Sequence, residues 1–241
     1  MDAYSRTRLL LGQEGMEKLK NAHIAVFGLG GVGGYVVEAL ARCGVGTLEL
    51  IDHDTVSITN INRQILATRE TVGMEKSEAA RLRVQAIDPE IKVIARHQFF
   101  GPDTKAEFDF SGYTYVVDAI DTVTGKLALV QAAQAANVPI ICCLGTGNKL
   151  DPTAFRIGDI YETSVCPLAR IMRKECRKRG IEKLKVLYSL EEPIKPDISP
   201  DDPILTELPE GRNALPGSVS FVPAAAGLII AGQVIRDITG K

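Results

Sequence analysis

The stretch Gly28-Leu29-Gly30-Gly31-Val32-Gly33 has the residue types and spacing to hold a phosphate. It follows the apolar run Ile24–Phe27 and opens a helical pattern. Such a turn brings backbone N–H groups and a helix start up to an anion. The glycines alone do not choose between a hydride cofactor and ATP. Asp52, which follows Gly33 by 19 residues, can accept hydrogen bonds from ribose hydroxyls in either case.

Four further features favour a triphosphate. Asp54 adds a second carboxylate beside Asp52. In the polar cluster Asn60-Ile61-Asn62-Arg63-Gln64, Arg63 offers a fork to phosphate oxygens, and Asn60 can orient that fork or the nucleotide. Lys76 opens a helix after Gly73-Met74-Glu75 and can aim a compact charge at phosphates. Asp121, just past Val116-Val117-Asp118, offers the oxygen ligand that a phosphate-bridging magnesium ion takes. A hydride cofactor carries only a pyrophosphate and leaves these groups unexplained. Each also has a plainer use. Arg63 and Lys76 can be solvated charges, Asp54 can shape a turn, and Asp121 can cap a helix at Thr122.

The elements that must position these residues alternate. Strands are expected at His23–Phe27, Thr47–Ile51, Lys92–Arg96, Tyr113–Asp118 and Pro139–Leu144. Helices are expected at Gly31–Cys43, Lys76–Ile87 and Thr122–Ala136. This order predicts an α/β, Rossmann-like, doubly wound and mostly parallel sheet with helices on both faces. Gly28, Asp52, Asp118 and Asp121 then fall at or just past strand C-termini, where such sheets bind ligands. Beyond Leu150 the pattern gives a strand at Ala154–Ile160, a helix at Pro167–Arg179, a strand at Lys183–Leu190 and an apolar helix at Val222–Ile238. That helix should pack on the sheet or on a partner subunit. Glu191–Pro216, with six prolines and seven acidic residues, reads as an extended loop or lid. We therefore expect an ATP-binding domain over residues 1–150 and a C-terminal extension over 151–241 packed on it.

At 241 residues, 45% hydrophobic and 24% charged, the chain can bury a substantial core. A net charge of −2 rules out a polycation, so nucleic-acid contact requires a local patch. Arg170, Arg173, Lys174, Arg177, Lys178 and Arg179 form such a patch, opposed only by Glu175. A solvated amphipathic helix explains the run about as well. Cys43, Cys142, Cys143, Cys166 and Cys176 include no C-x-x-C pair, which argues against a tetrathiolate zinc site. Their odd number suits a reducing compartment. His23, His53 and His97 lack metal-ligand spacing. No signal peptide is evident, and Phe221–Ile235 is short and glycine-rich for a membrane span. A cytoplasmic protein without a membrane partner is expected.

Together, Gly28-x-Gly30-Gly31-x-Gly33, Asp52-x-Asp54, Asn60-x-x-Arg63-Gln64, Gly73-x-x-Lys76 and Asp121 resemble the adenylation domain of the ThiF, MoeB and HesA family. The resemblance covers residues 4–150. It implies ATP with Mg2+, and it leaves room for a monovalent cation. By the same resemblance Asp52 holds the ribose, Arg63 and Lys76 hold phosphates, and Asp121 holds magnesium. The resemblance also implies that Arg6 in Tyr4-Ser5-Arg6 reaches into the neighbour's site across a homodimer.

The second half resembles the branch that dehydrates threonylcarbamoyladenosine in tRNA, called TcdA or CsdL. The residues concerned are Lys126, Gly145-Thr146-Gly147-Asn148, Leu150-Asp151-Pro152-Thr153, Pro167-Leu168-Ala169-Arg170 and Gly217-Ser218-Val219-Ser220-Phe221-Val222-Pro223. Cys166 departs from that pattern, which has an acidic residue before Pro167. The resemblance implies ATP-dependent cyclisation through an acyl-adenylate, with tRNA as partner. Three other readings stay open. They are adenylation of a ubiquitin-like or sulfur-carrier protein, sulfur acceptance from a cysteine desulfurase, and nicotinamide-dependent oxidoreduction.

Overall fold

A computed structural model describes residues 2–199 and 216–241. Seven strands form one sheet: β1 (His23–Phe27), β2 (Thr47–Asp52), β3 (Lys92–His97), β4 (Tyr115–Asp118), β5 (Ile140–Cys143), β6 (Phe155–Asp159) and β7 (Lys185–Ser189). Their order is β3-β2-β1-β4-β5-β7-β6. All neighbours run parallel except the edge strand β6, which is antiparallel to β7. The central strands are apolar on both sides, as burial under helices on two faces requires.

The helices are α1 (Ser5–Lys20), α2 (Gly33–Arg42), α3 (Lys76–Ile87), α4 (Val123–Ala135), α5 (Pro167–Lys178) and α6 (Phe221–Thr239). One face of the sheet meets a core built from Val36, Leu40, Val84, Ala226 and Ile230. The other meets Phe100, Leu129, Met172 and Cys176. β6 and β7, from the second half of the chain, extend the same sheet as the first five strands.

α1 is absent from the sequence expectation. Its Leu9 and Leu10 are almost fully exposed, and Gly12 interrupts it at φ 73°, so no amphipathic period marks it. α6 is longer than the apolar stretch read from sequence and, by length and composition alone, could cross a membrane. It packs on α2 instead: a Cβ on Gly227 would stand 2.5 Å from the Val32 carbonyl oxygen. Of the Glu191–Pro216 segment, residues 191–199 form no helix or strand, while residues 200–215 lie outside the described residues.

The chain runs outward through β1, β2 and β3, then returns to place β4 on the other side of β1. The β1–β4 boundary is the switch point at which such sheets open a crevice. The glycine turn after β1 and the segment after β4 flank it.

Candidate nucleotide site

The glycines of the turn have distinct reasons to be glycine. Gly28 adopts φ 88°, and a Cβ there would lie 2.6 Å from the Ala119 carbonyl oxygen. The turn therefore rests on the segment after β4. At Gly33 a Cβ would meet the Gly28 carbonyl oxygen at 1.8 Å, so α2 can start only without one. At Gly31 it would press on Pro223 of α6 at 3.2 Å. Gly30 differs. Its φ is outside the left-handed region, and a Cβ would find only Gln64 Nε2, at 3.8 Å. The protein's own packing does not demand a glycine there; the bare backbone faces open space. In the first turn of α2 the Gly34 N–H donates to the Gly30 carbonyl at 3.0 Å and the Val36 N–H to the Val32 carbonyl at 3.1 Å, so the helix start closes directly on the glycine turn.

Asp52 is buried at the end of β2. Its Oδ2 accepts from the Leu29 N–H at 2.6 Å and its Oδ1 from the Asp54 N–H at 2.9 Å. It thus ties β2 to the glycine turn. Asp54 is half exposed and sits between Lys76 Nζ at 2.7 Å and His53 Nε2 at 3.3 Å. Partial burial pushes its pKa up, but the hydrogen bond and charge of Lys76 outweigh this and hold it below the usual carboxylate value. The ligand atoms of Asp52, His53 and Asp54 lie within 4.8 Å of one another, a closeness the histidine spacing did not suggest.

The 60–64 segment forms a short helical turn (Ile58–Asn60) and its exit. The Asn60 side chain accepts from the Ser57 N–H at 3.1 Å and so caps its own turn, while its carbonyl oxygen takes the N–H groups of Arg63 and Gln64. The turn aims Arg63, whose stem lies beside Gly31 and whose Nη1 donates to the Thr59 carbonyl and to Asn62 Oδ1, both at 2.9 Å. Gln64 is buried, and its Oε1 has no hydrogen-bond partner among the described residues.

At the end of β4, Asp121 is exposed next to the turn that supports Gly28. The N-cap position of α4 is Thr122, so the expected capping role does not fall to Asp121. Sequence reasoning missed the pair behind it. Lys126, fully buried, donates to Asp118 at 3.0 and 3.1 Å and to the Cys143 carbonyl at 2.7 Å. A lysine beside the apolar run Leu127-Ala128-Leu129-Val130 was the available signal, because a buried charge demands a partner.

Two motifs far apart in sequence meet above β5. The Asn148 N–H donates to the Gly217 carbonyl at 2.8 Å, and the Gly217 N–H donates back to Asn148 Oδ1 at 2.6 Å. Asn62 Nδ2 reaches the Ser218 carbonyl at 3.0 Å, which joins this contact to the Arg63 turn.

Arg6 stands apart from these residues. Tyr4, two residues before it, bonds to the Ala41 carbonyl and to Asp88 at the C-terminal ends of α2 and α3. That is the opposite end of the sheet from the glycine turn. α5 begins at the crevice, where Cys166 Sγ lies 3.7 Å from the Cβ position of Gly145, and runs away from it. Arg170, Lys174, Arg177, Lys178 and Arg179 are exposed on it. Arg173 is half buried and bonds Thr163, Arg177 sits 5.4 Å over the Tyr161 ring, and Lys178 and Arg179 engage Glu175. Cys142, Cys143, Cys166 and Cys176 are buried. Burial pushes the Cys143 thiol up to about 12.

The ThiF family model matches residues 4–241. This chain belongs to the ThiF family. The tRNA threonylcarbamoyladenosine dehydratase of Bacillus subtilis is 41% identical over 242 residues, covering 98% of this chain and 94% of the relative. The Escherichia coli tRNA N6-threonylcarbamoyladenosine dehydratase TcdA, solved in complex with ATP, superposes with a TM-score of 0.87 at 32% identity and covers 98% of this chain and 93% of that one. The molybdopterin-synthase adenylyltransferase of Salmonella typhimurium is 38% identical over 140 residues, which cover 57% of this chain and 56% of the relative. The Rossmann-like α/β expectation holds in the sheet order and in these likenesses.

Proposed function

We propose that this chain is an adenylating enzyme that dehydrates threonylcarbamoyladenosine in tRNA at the expense of ATP. The observation that carries this reading is the extent of the likeness: it spans nearly the whole of this chain and of dehydratases from two bacteria, one of them solved with ATP. The open backbone at Gly30 gives the phosphates a place to lie. In this reaction the carboxylate of the threonylcarbamoyl group attacks the α-phosphorus of ATP and pyrophosphate leaves. The carbamoyl group then closes on the activated carboxyl, and AMP departs with one carboxyl oxygen. The closure is intramolecular, so positioning supplies most of what it needs. A cysteine nucleophile is unnecessary, and Cys166 is buried.

Within this reading the turn at Gly28, Gly30, Gly31 and Gly33 cradles phosphates, and Asp52 and Asp54 take the ribose side with Asn60 and Gln64 lining the turn. Arg63 and Lys76 offset charge developing on the phosphates. Asp121 has the donor chemistry of a hard-cation ligand and the exposure to use it. Mg2+ held there would neutralise phosphate charge. The exposed members of the basic helix, Arg170 above all because it lies nearest the crevice, face the tRNA backbone. A tRNA substrate supports a cytoplasmic location. A homodimer accounts for Arg6: it cannot reach its own crevice, and the neighbouring Leu9 and Leu10 are exposed as interface residues would be in a lone chain.

The likeness to an adenylyltransferase favours one second reading, activation of a carrier protein. Measuring ATP–pyrophosphate exchange and AMP release with modified tRNA or with a small carrier protein separates the two. AMP release driven by tRNA carrying threonylcarbamoyladenosine is expected, and release driven only by the carrier protein overturns the main reading. Mixing Arg6→Ala with Asp121→Ala subunits should restore part of the activity that each lacks; no recovery removes the shared site.

A further inference from the structure

We infer that the buried Lys126–Asp118 pair is a positioning device for adenylation, one that sets the two walls of the crevice against each other. This rests on the adenylation reading above. The Lys126 side chain is 1% exposed and that of Asp118 is fully buried. Burial alone would depress the lysine pKa, but Asp118 reverses that and raises it, so the lysine stays charged. A pair of this kind adds little stability over well-packed apolar residues, because desolvation cancels most of the attraction. Its contribution has to be sought in what it holds.

It holds three things at once. Asp118 closes β4 and accepts the Ile120 N–H at 3.1 Å, which bends the chain immediately before Asp121. That bend carries the Ala119 carbonyl against which Gly28 packs, so the glycine turn and Asp121 share one support. Lys126 then reaches past Asp118 to the Cys143 carbonyl at the end of β5. The next residues, Leu144 and Gly145, lead to Cys166, Asn148 and the contact with Gly217. One ammonium group therefore ties the end of β4, which carries the ATP wall, to the end of β5, whose continuation through Asn148 meets the second half of the chain at Gly217. Lys126 touches no reacting atom in this arrangement; it acts through Asp121 and the turn.

The test compares Lys126→Met, Asp118→Asn and the double variant Asp118→Asn/Lys126→Met with the full-length wild type. Readouts are thermal melting, steady-state ATP–pyrophosphate exchange, and AMP release with modified tRNA. The single variants should melt early, because each strands a buried charge. The double variant should melt close to the wild type, yet its kcat for exchange should fall at least tenfold, with a smaller change in the KM for ATP. Lys126→Arg, which keeps the charge, should recover more kcat than Lys126→Met does. A double variant that melts normally and exchanges at the wild-type rate overturns the inference, as does one whose activity falls only in proportion to the folded fraction. A wild type that exchanges no pyrophosphate in the presence of modified tRNA overturns the adenylation reading itself, so the two failures are distinct.

Discussion

Gly30→Ala separates folding from nucleotide binding more cleanly than any other change in the glycine turn. The new methyl would lie 3.8 Å from Gln64 Nε2, an ordinary contact, on a backbone outside the left-handed region. Replacing a glycine at such a site restricts the unfolded chain and stabilises by about 0.4–1 kcal/mol. For a chain of this length that is a rise of roughly 1–4 °C in Tm. The same methyl projects into the space where the phosphates would approach the backbone. With ATP at about 100 times its Kd, the wild type should gain about 2.7 kcal/mol, or roughly 5–11 °C. A hundredfold loss of affinity leaves the variant only about 0.4 kcal/mol at the same concentration, a shift near 1 °C. Gly33→Ala provides the contrast. Its methyl would sit 1.8 Å from the Gly28 carbonyl oxygen, so α2 or the turn must move. Overpacking of that severity costs about 3 kcal/mol or more. Differential scanning fluorimetry with and without ATP reads all three proteins. A Gly30→Ala protein that melts like the wild type and takes the full ATP shift would refute the placement of phosphates across Gly30. An unstable one would show that the space is not open.

Asp54 and Lys76 should couple. The folded carboxyl titrates below its unfolded value of 3.8, so its stabilising contribution is present above that pH and is lost as pH falls through the lower folded value. Lys76→Met should raise the Asp54 pKa, as followed by carboxyl carbon NMR, and a double-mutant cycle should give about 0.5–1 kcal/mol, since Asp54 is half exposed. On α5, Arg170→Glu/Lys174→Glu should weaken tRNA binding and flatten its salt dependence by about two ions, whereas Arg173→Ala should act mainly on stability through its lost bond to Thr163. Binding titrations at several salt concentrations and melting curves check each half of that statement. Cys143, pushed up to about 12 by burial, should resist iodoacetamide at pH 8 in the native protein and react only on unfolding, as read by peptide mass mapping.

The strands and most helices were legible because the central strands are short unbroken apolar runs and the helices between them are bounded by glycine, proline or polar breaks, and their ends fall within a residue or two of the expected ones, as Lys76–Ile87 does. α1 was not. Its Leu9 and Leu10 point outward, and what fixes it to the rest of the chain is Tyr4 just before it, Leu11 and Leu19 against the core, and Gly15 against Thr239 of α6. A helix whose apolar side is unpartnered within one chain shows no inward stripe in its sequence. The residues proposed for the phosphate side could be named from sequence because their chemistry depends on type and order along one half of the chain. Their partners were less so. Asn60 turned out to cap its own turn, and Lys76 to be buried against Asp54, because local hydrogen-bond satisfaction competes for the same polar groups that a nucleotide would use.

The least legible part is what joins elements distant in sequence. Asn148 with Gly217, and Lys126 with Cys143, are contacts between residues whose separate motifs carry no mutual signal. The case of Lys126 shows how far such a contact can nevertheless be anticipated. A lysine on a helix face otherwise given to Leu129, Val130 and Ala133 must either reach solvent or find an anion inside. α4 packs one face on the sheet, and the only carboxylate ending its preceding strand is Asp118. Given parallel β4 and β5 as neighbours, that carboxylate lies level with the first free carbonyls of β5. Sequence chemistry and sheet register together therefore lead to the bridge that neither specifies alone. They place it directly beneath the residue, Asp121, on which the proposed nucleotide chemistry depends.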